Sequence, residues 1–295
     1  MSRFRMLVPA LTLGFTLISV SPWAAPAGPE VRKQTMQVFQ RIFCGDNGKG
    51  VAFLYAQGRA YGHVEGIRDQ KLFDVDVYAV QQCGPLPSSI NDFGFRLTSK
   101  EILFYRDPTT GEVLKTWKNP YTGQTVEVNH AANDPVNGNY TSAVFFDGIL
   151  PNSVRRTKEL YTLSYEANQF YENPLGGDYQ KYVGGMYRAT EMINWFVNTG
   201  DLDRLAADAY LPSHFSWARI SQWLPWMEMG GRPGYFWVHT VGQKFMRYED
   251  LPQAVRAEVE ANYRDFLTPP PLEDTRPNDT SWKFFKRAID ARTKK

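Results

Sequence analysis

Cysteine and histidine are scarce in this chain, which has two of the first and four of the second among 295 residues. It contains no Gly-x-Ser-x-Gly elbow, no His-Glu-x-x-His, no Cys-x-x-Cys and no glycine-rich phosphate loop ahead of Lys-Ser/Thr. These absences argue against a serine hydrolase, a zinc peptidase and a nucleotide-dependent enzyme. Gly45, Gly48 and Gly50 crowd one loop, but no strand feeds it and no Rossmann unit follows. His63, His130, His214 and His239 share no ligand spacing, so a metal would need convergence from distant parts of the chain. The expectation is a protein with no metal and no organic cofactor. Concentrated positive charge is also missing. The 33 Lys+Arg nearly balance 31 Asp+Glu, and the one basic run, Lys283 to Lys295, is too little to grip a nucleic-acid backbone.

Long apolar runs are lacking as well. Met6 to Val20 is the longest candidate, preceded by Arg3 and Arg5 and followed by Ala25-Pro26-Ala27. That pattern predicts an export signal over residues 1–27 rather than a membrane anchor, because a spanning helix needs about 20 apolar residues. Removing it takes away two basic residues and no acid, leaving a formally neutral, periplasmic or secreted protein with no stable membrane insertion. An oxidising compartment permits a Cys44–Cys83 disulfide, although two buried free thiols fit the sequence equally well. The remaining chain is long enough for one substantial core. A single β-rich domain is expected over residues 28–268, then a proline-rich linker and short basic helix over 269–295.

Aromatic residues are abundant: 8 Trp, 16 Tyr and 19 Phe. Glu30 to Phe43 has helical spacing and stops at Gly45. Val51–Gly66 and Lys71–Val80 read as strands. In the second, Phe73, Val75 and Val77 face one way while Asp74 and Asp76 face the other, so the Asp-x-Asp is the wet side of a half-buried strand and not a metal site. Glu101–Arg106, Glu112–Trp117 and Gln124–His130 read as a meander joined by Asp-Pro-Thr-Thr-Gly and Asn-Pro-Tyr-Thr-Gly turns, each closed by a glycine suited to positive φ. Val126, Val128 and His130 then share a face, which would point His130 inward. Further strands are expected at Ser142–Phe146, Leu160–Tyr171, Tyr182–Val197, His214–Ser221 and Gly234–Val241. A helix fits Glu249–Phe266, with Leu251, Val255, Val259, Tyr263 and Phe266 in one stripe, and a terminal helix fits Ser281–Ala291. The fold class is mainly β. It is an antiparallel barrel, lipocalin-like in general shape, or a two-sheet sandwich, with an N-terminal helix and C-terminal helices.

Several motifs resemble a family known as domain of unknown function 1838, found in bacteria and fungi. They are the Tyr-x-x-Gly-x-x-Tyr from Tyr55 to Tyr61 with Leu72-Phe73, Thr98-Ser-Lys-Glu-Ile, Tyr105-Arg-Asp-Pro-Thr-Thr-Gly-Glu, Trp117-Lys-Asn-Pro-Tyr-Thr-Gly, and Trp223-Leu-Pro-Trp-Met-Glu-Met-Gly-Gly before Gly234. Lys100 stands where the family pattern is expected to carry arginine. The resemblance spans Tyr55 to about Phe266 and implies no activity and no catalytic residues.

Candidate site residues therefore come from the chain's own chemistry. His130, Arg188 and Glu191 are the candidates for proton transfer, since charged groups among apolar neighbours need a partner. Tyr105, Trp217, Arg219, Trp223, Trp237 and His239 are the candidates for holding a ligand, because rings grip flat apolar molecules. The bland alternatives are a bracing internal salt bridge, hydrogen-bonded histidines and a ring-filled core. The function expected is a cofactor-independent enzyme of isomerase, lyase or hydrolase type acting on a small apolar or aromatic molecule in a barrel cavity. A non-catalytic carrier of such a molecule, or a scaffold whose aromatic patch meets another protein, are the other readings.

Overall fold

The computed structural model describes residues 28–46, 50–146, 152–172, 175, 182, 186–204 and 209–293. The expected signal segment, residues 1–27, lies outside them. A single antiparallel sheet dominates. Its strands are β1 (Ala52–Val64), β2 (Ile67–Gly84), β3 (Gly94–Arg106), β6 (Ala131–Asn133), β7 (Gly138–Thr141), β8 (Asn152–Arg156), β9 (Leu160–Glu172), β10 (Met186–Asn198), β11 (His214–Ser221) and β12 (Tyr235–Phe245). The hydrogen-bonded order is β6-β3-β2-β1-β12-β11-β10-β9-β8, with β7 also on β3. Two meanders are thus joined where the first strand pairs with the last, and the outermost strands do not pair with each other, so the sheet stays open.

The sheet is strongly curled. Strands β3 and β10 are five positions apart, which would separate them by about 24 Å in a flat sheet. Instead they face each other across one interior space lined by Glu101 and Leu103 on one side and Glu191 and Ile193 on the other. Period two dictates who looks inward. On β10 these are Tyr187, Ala189, Glu191, Ile193 and Trp195; on β11, Phe215, Trp217 and Arg219. Alternation on β2 is as expected, with Phe73 and Val75 buried inside.

Helix α1 (Pro29–Phe43) stops one end of the curl, burying Met36, Phe39, Ile42 and Phe43. Phe39 meets Phe95 of β3 at 5.5 Å and Tyr165 of β9 at 6.0 Å between ring centroids, so the plug touches both walls. The carbonyls at the C-terminal end of α1 lack partners within the helix. Lys244 donates to those of Arg41 and Cys44 at 2.7 and 2.8 Å, and Ser213 donates to that of Ile42 at 3.0 Å. Burial pushes the Lys244 ammonium down to about 7. A Cys44–Cys83 disulfide ties the same helix end to β2, resolving what the sequence left open.

The opposite end is stopped by another group of rings. Trp117, Trp223, Trp226 and Phe73 pack there with Trp282 and Phe285. The last two belong to α5 (Ser281–Thr293). The chain leading into α5 is held to the sheet, since Thr98 donates to the Pro270 carbonyl at 2.8 Å and Arg96 to that of Leu272 at 2.6 Å. Outside the sheet, α4 (Gln253–Asn262) lays Val255 and Val259 over Tyr55, Tyr78, Ile102 and Phe104. Among the described residues no helix is long and apolar enough to cross a membrane.

Several expected elements differ. Ser142–Phe146 is a short helix, α2, not a strand; Phe145 must reach the rings of α1, and a helical turn delivers it at 5.1 Å from Phe39. The three-strand meander is interrupted. Only β3 joins the large sheet, while β4 (Thr116–Lys118) and β5 (Thr125–Glu127) form a separate ribbon. Both proline-glycine turns form as expected, with Gly111 and Gly123 each at φ +75°. The buried Asn119 amide donates to the Met227 carbonyl at 2.8 Å and so pins the ribbon to the ring-rich end. The long helix expected over Glu249–Phe266 is α4 flanked by 3-10 turns at Tyr248–Asp250 and Arg264–Leu267. Asp76 is not on a wet face. It is 3% exposed and held by Arg106, Tyr55 and Gln57. Asp74 stays near the surface, 2.6 Å from Lys71.

Candidate functional site

Between the two ring plugs the curled sheet leaves a cavity of about 400 Å³. Its walls come from both meanders, and most of its lining is apolar or aromatic: Tyr140, Tyr165, Trp195, Trp217 and Trp282 contribute rings. Charge enters at three interior positions on the strands, and Asp279 ahead of the C-terminal helix, paired with Arg287, adds a fourth. Glu191 of β10 and Arg219 of β11 are directly opposite in the register, with Arg219 Nε 3.7 Å from Glu191 Oε1. The Trp217 indole donates to Glu191 Oε2 at 3.4 Å, and Arg219 also donates to the Tyr187 hydroxyl. The third group, Glu101 of β3, lines the same space. Its side chain has no hydrogen-bond or ion-pair partner among the described residues. Burial first, and the Glu191 charge second, push its carboxyl up to about 7.

The structure brings Glu191, Trp217 and Arg219 together in this cavity. Tyr105 lies behind them, buried against Trp226 at 5.3 Å. Its phenol is pushed well above its ordinary range by burial, an effect the nearby Arg219 partly offsets. The other candidates are elsewhere. His130 does not line the cavity. Its Nδ1 accepts from the Tyr105 backbone N–H at 3.1 Å and its Nε2 donates to the Leu114 carbonyl at 2.9 Å, so both ring nitrogens brace backbone. Burial lowers its pKa below the ordinary histidine value. The inward orientation expected from Val126 and Val128 fails because β5 ends at Glu127 and the alternation ends with it.

Arg188 is exposed on the outer face, 5.1 Å from the Phe170 ring, since it is three residues from Glu191 and strand faces alternate. Trp223 is buried in the ring plug beside Tyr121, 5.2 Å away. Trp237 and His239 sit on the outer face, where Trp237 stacks on Tyr61 at 4.3 Å and donates to Asp69 at 3.1 Å. They line a separate open groove with Arg59, Asp76 and Arg106. Glu101 was missed by inspection of the sequence, although a signal existed: apolar residues occupy both faces of Glu101–Tyr105, so a glutamate there has to face an interior. Lys100, on the other face, donates to the Asp265 carbonyl at 2.6 Å and lies 3.4 Å from Asp134. No group of three or more His, Cys, Asp or Glu able to hold a metal is found among the described residues.

Fold and cavity together define a class: an open, curled antiparallel sheet plugged at both ends, with ionisable groups facing a ring-walled interior. The chain belongs to the family described as Protein of unknown function (DUF1838), whose model matches residues 50–289. No protein with a curated description matches it.

Proposed function

We propose that this is an exported, cofactor-independent enzyme that performs acid–base chemistry on a small apolar or aromatic molecule held in the interior cavity. One observation carries the proposal: on strands from opposite walls, two carboxyl groups and a guanidinium, Glu101, Glu191 and Arg219, line a cavity whose walls are mostly apolar or aromatic. Burying charge without need costs several kcal/mol, and a bracing ion pair would not require a second, unpartnered carboxyl in the same cavity. Perturbed acids in a cleft are more common at functional sites than elsewhere. The Cys44–Cys83 disulfide supports an oxidising compartment, and hence export.

Native mass spectrometry of protein purified from its own source tests the cavity, because a retained small molecule reports its ligand class directly. Binding that quenches tryptophan fluorescence, together with turnover that Glu191→Gln abolishes, is the result expected of the enzyme. Quenching without product, unaffected by Glu191→Gln, would instead identify a carrier, a reading favoured by the ring-dominated walls. Absence of any ligand or quenching would reject both.

A further inference from the structure

The two interior carboxyl groups have opposite surroundings. Glu191 has an ion-pair partner, Arg219 with its Nε 3.7 Å away, and a hydrogen-bond donor, the Trp217 indole. Glu101 has neither among the described residues, and it stands on the far wall of the same cavity. A carboxyl without donors is most stable as the neutral acid, and a neutral acid is itself a hydrogen-bond donor in search of an acceptor. The arginine and the indole N–H instead present Glu191 with positive charge and a donor, surroundings that suit a proton acceptor. Two acids in such unlike surroundings are how a single site supplies an acid and a base together.

We infer that Glu101 is the proton donor and Glu191 the proton acceptor of one reaction, and that the substrate is a small apolar or aromatic carbonyl compound with a hydrogen on the carbon next to the carbonyl. The inference rests on the enzyme reading above and gives it a substrate class. The acceptor that Glu101 lacks is the carbonyl oxygen. In the forward step Glu191 removes the proton from the neighbouring carbon, breaking that C–H bond. The electron pair forms the C=C bond of the enol, and the carbonyl oxygen takes the Glu101 proton. In the reverse step the enol oxygen returns its proton to Glu101 while Glu191 delivers a proton to the same carbon or to a conjugated one. Nothing is oxidised or reduced and no co-reactant is consumed. Arg219 is a positioning residue, opposite Glu191 in the strand register and 3.7 Å from its carboxyl, and the rings of Trp195, Trp217 and Trp282 suit a flat apolar body.

Both roles must hold at once, so the reaction requires Glu101 protonated. The titratable groups around Glu101 in the cavity are Glu191 and Tyr187 from β10, Arg219 from β11, Tyr165 from β9, Tyr140 from β7 and Asp279 ahead of α5. Tyr140 and Tyr165 have their pKa values raised by burial, so both are neutral near pH 7. Asp279 is tied to Arg287, at 2.8 Å through Arg287 Nη1. Glu101 is therefore the group whose titration near neutrality sets the pH limb.

The test is hydrogen–deuterium exchange. The full-length protein is incubated in D2O with 1-phenylpropan-2-one or cyclohex-2-enone, and loss of α-proton signal is followed by NMR. Binding of 2-naphthol, a flat molecule with an enol-like hydroxyl, is followed in parallel by tryptophan quenching. Exchange is expected to be fastest below about pH 7 and to fall as pH rises through the Glu101 pKa, which is raised to about 7. Glu101→Gln and Glu191→Gln are each expected to slow exchange at least about 100-fold, a general acid or base being worth that much or more. Neither change should weaken 2-naphthol binding more than a few-fold, which shows that the variants are folded. Carbon-13 carboxyl titration should place Glu101 near 7, and lower in Glu191→Gln. If 2-naphthol binds but exchange is no faster than in buffer, or if Glu101→Gln exchanges like the wild type, the acid–base assignment is wrong while the cavity reading stands. If 2-naphthol does not bind, the cavity reading fails and the assignment with it.

Discussion

Breaking the disulfide between Cys44 and Cys83 perturbs one well-defined part of the structure, the anchorage of the α1 plug. The two cysteines are 39 residues apart. On the chain-entropy account, closing a loop of that length stabilises the fold by about 4 kcal/mol. For a domain of this size each kcal/mol shifts the melting midpoint by roughly 2 °C, so reduction should lower it by about 8 °C. The measurement is differential scanning calorimetry with and without a phosphine reductant, with thiol titration confirming that both cysteines are free. Cys44→Ser/Cys83→Ser should melt at the reduced protein's temperature and ignore the reductant. Equal midpoints for oxidised and fully reduced protein would refute the reasoning. So would a double variant as stable as the oxidised chain, since Lys244 and Ser213 alone would then hold the helix end.

Phe39→Ala should cost about 3–5 kcal/mol in a urea melt, because this fully buried ring contacts Phe43, Phe95, Tyr140 and Phe145 and nothing can collapse into its place. Asp76→Ala should cost a similar amount by leaving Arg106 charged and uncompensated, with Asp76→Asn intermediate; a loss below 1 kcal/mol would show that the Asp76–Arg106 pair does not brace the sheet. The raised Glu101 pKa predicts stability that is full below its unfolded value of 4.5 and declines as pH rises through about 7, a slope that Glu101→Gln should remove. Arg188→Ala, on the outer face, should change neither stability by more than about 0.5 kcal/mol nor 2-naphthol binding.

Much of the architecture was legible in the sequence because its signals are local. The alternation of Phe73, Val75 and Val77 against Asp74 and Asp76, the spacing in α1, and the two proline-glycine turns depend on neighbours a few residues away, and all are found. Elements set by distant partners were less legible. Ser142–Phe146 has strand-like composition but bends into a helix to seat Phe145 on α1. Glu112–Trp117 and Gln124–His130 shrink to a ribbon because Asn119 is anchored more than a hundred residues away, at Met227. Among site residues, Glu191, Trp217 and Arg219 were recognisable as charge and rings within apolar strands. Arg188 was not separable by composition, yet its odd spacing from Glu191 forbids a shared face. Trp237 and His239 do share a face, the outer one; which face meets the interior depends on the curl of the whole sheet, and no single strand encodes that.

Because β8 at one margin and β6 with β7 at the other are not laddered together, the wall around the cavity has a seam. Both ends of the curl are corked by packed rings, whereas along the seam no main-chain bond between those strands has to break for the margins to part. A molecule entering between those margins would leave every strand-to-strand ladder intact, whereas one entering at either end would have to displace packed rings.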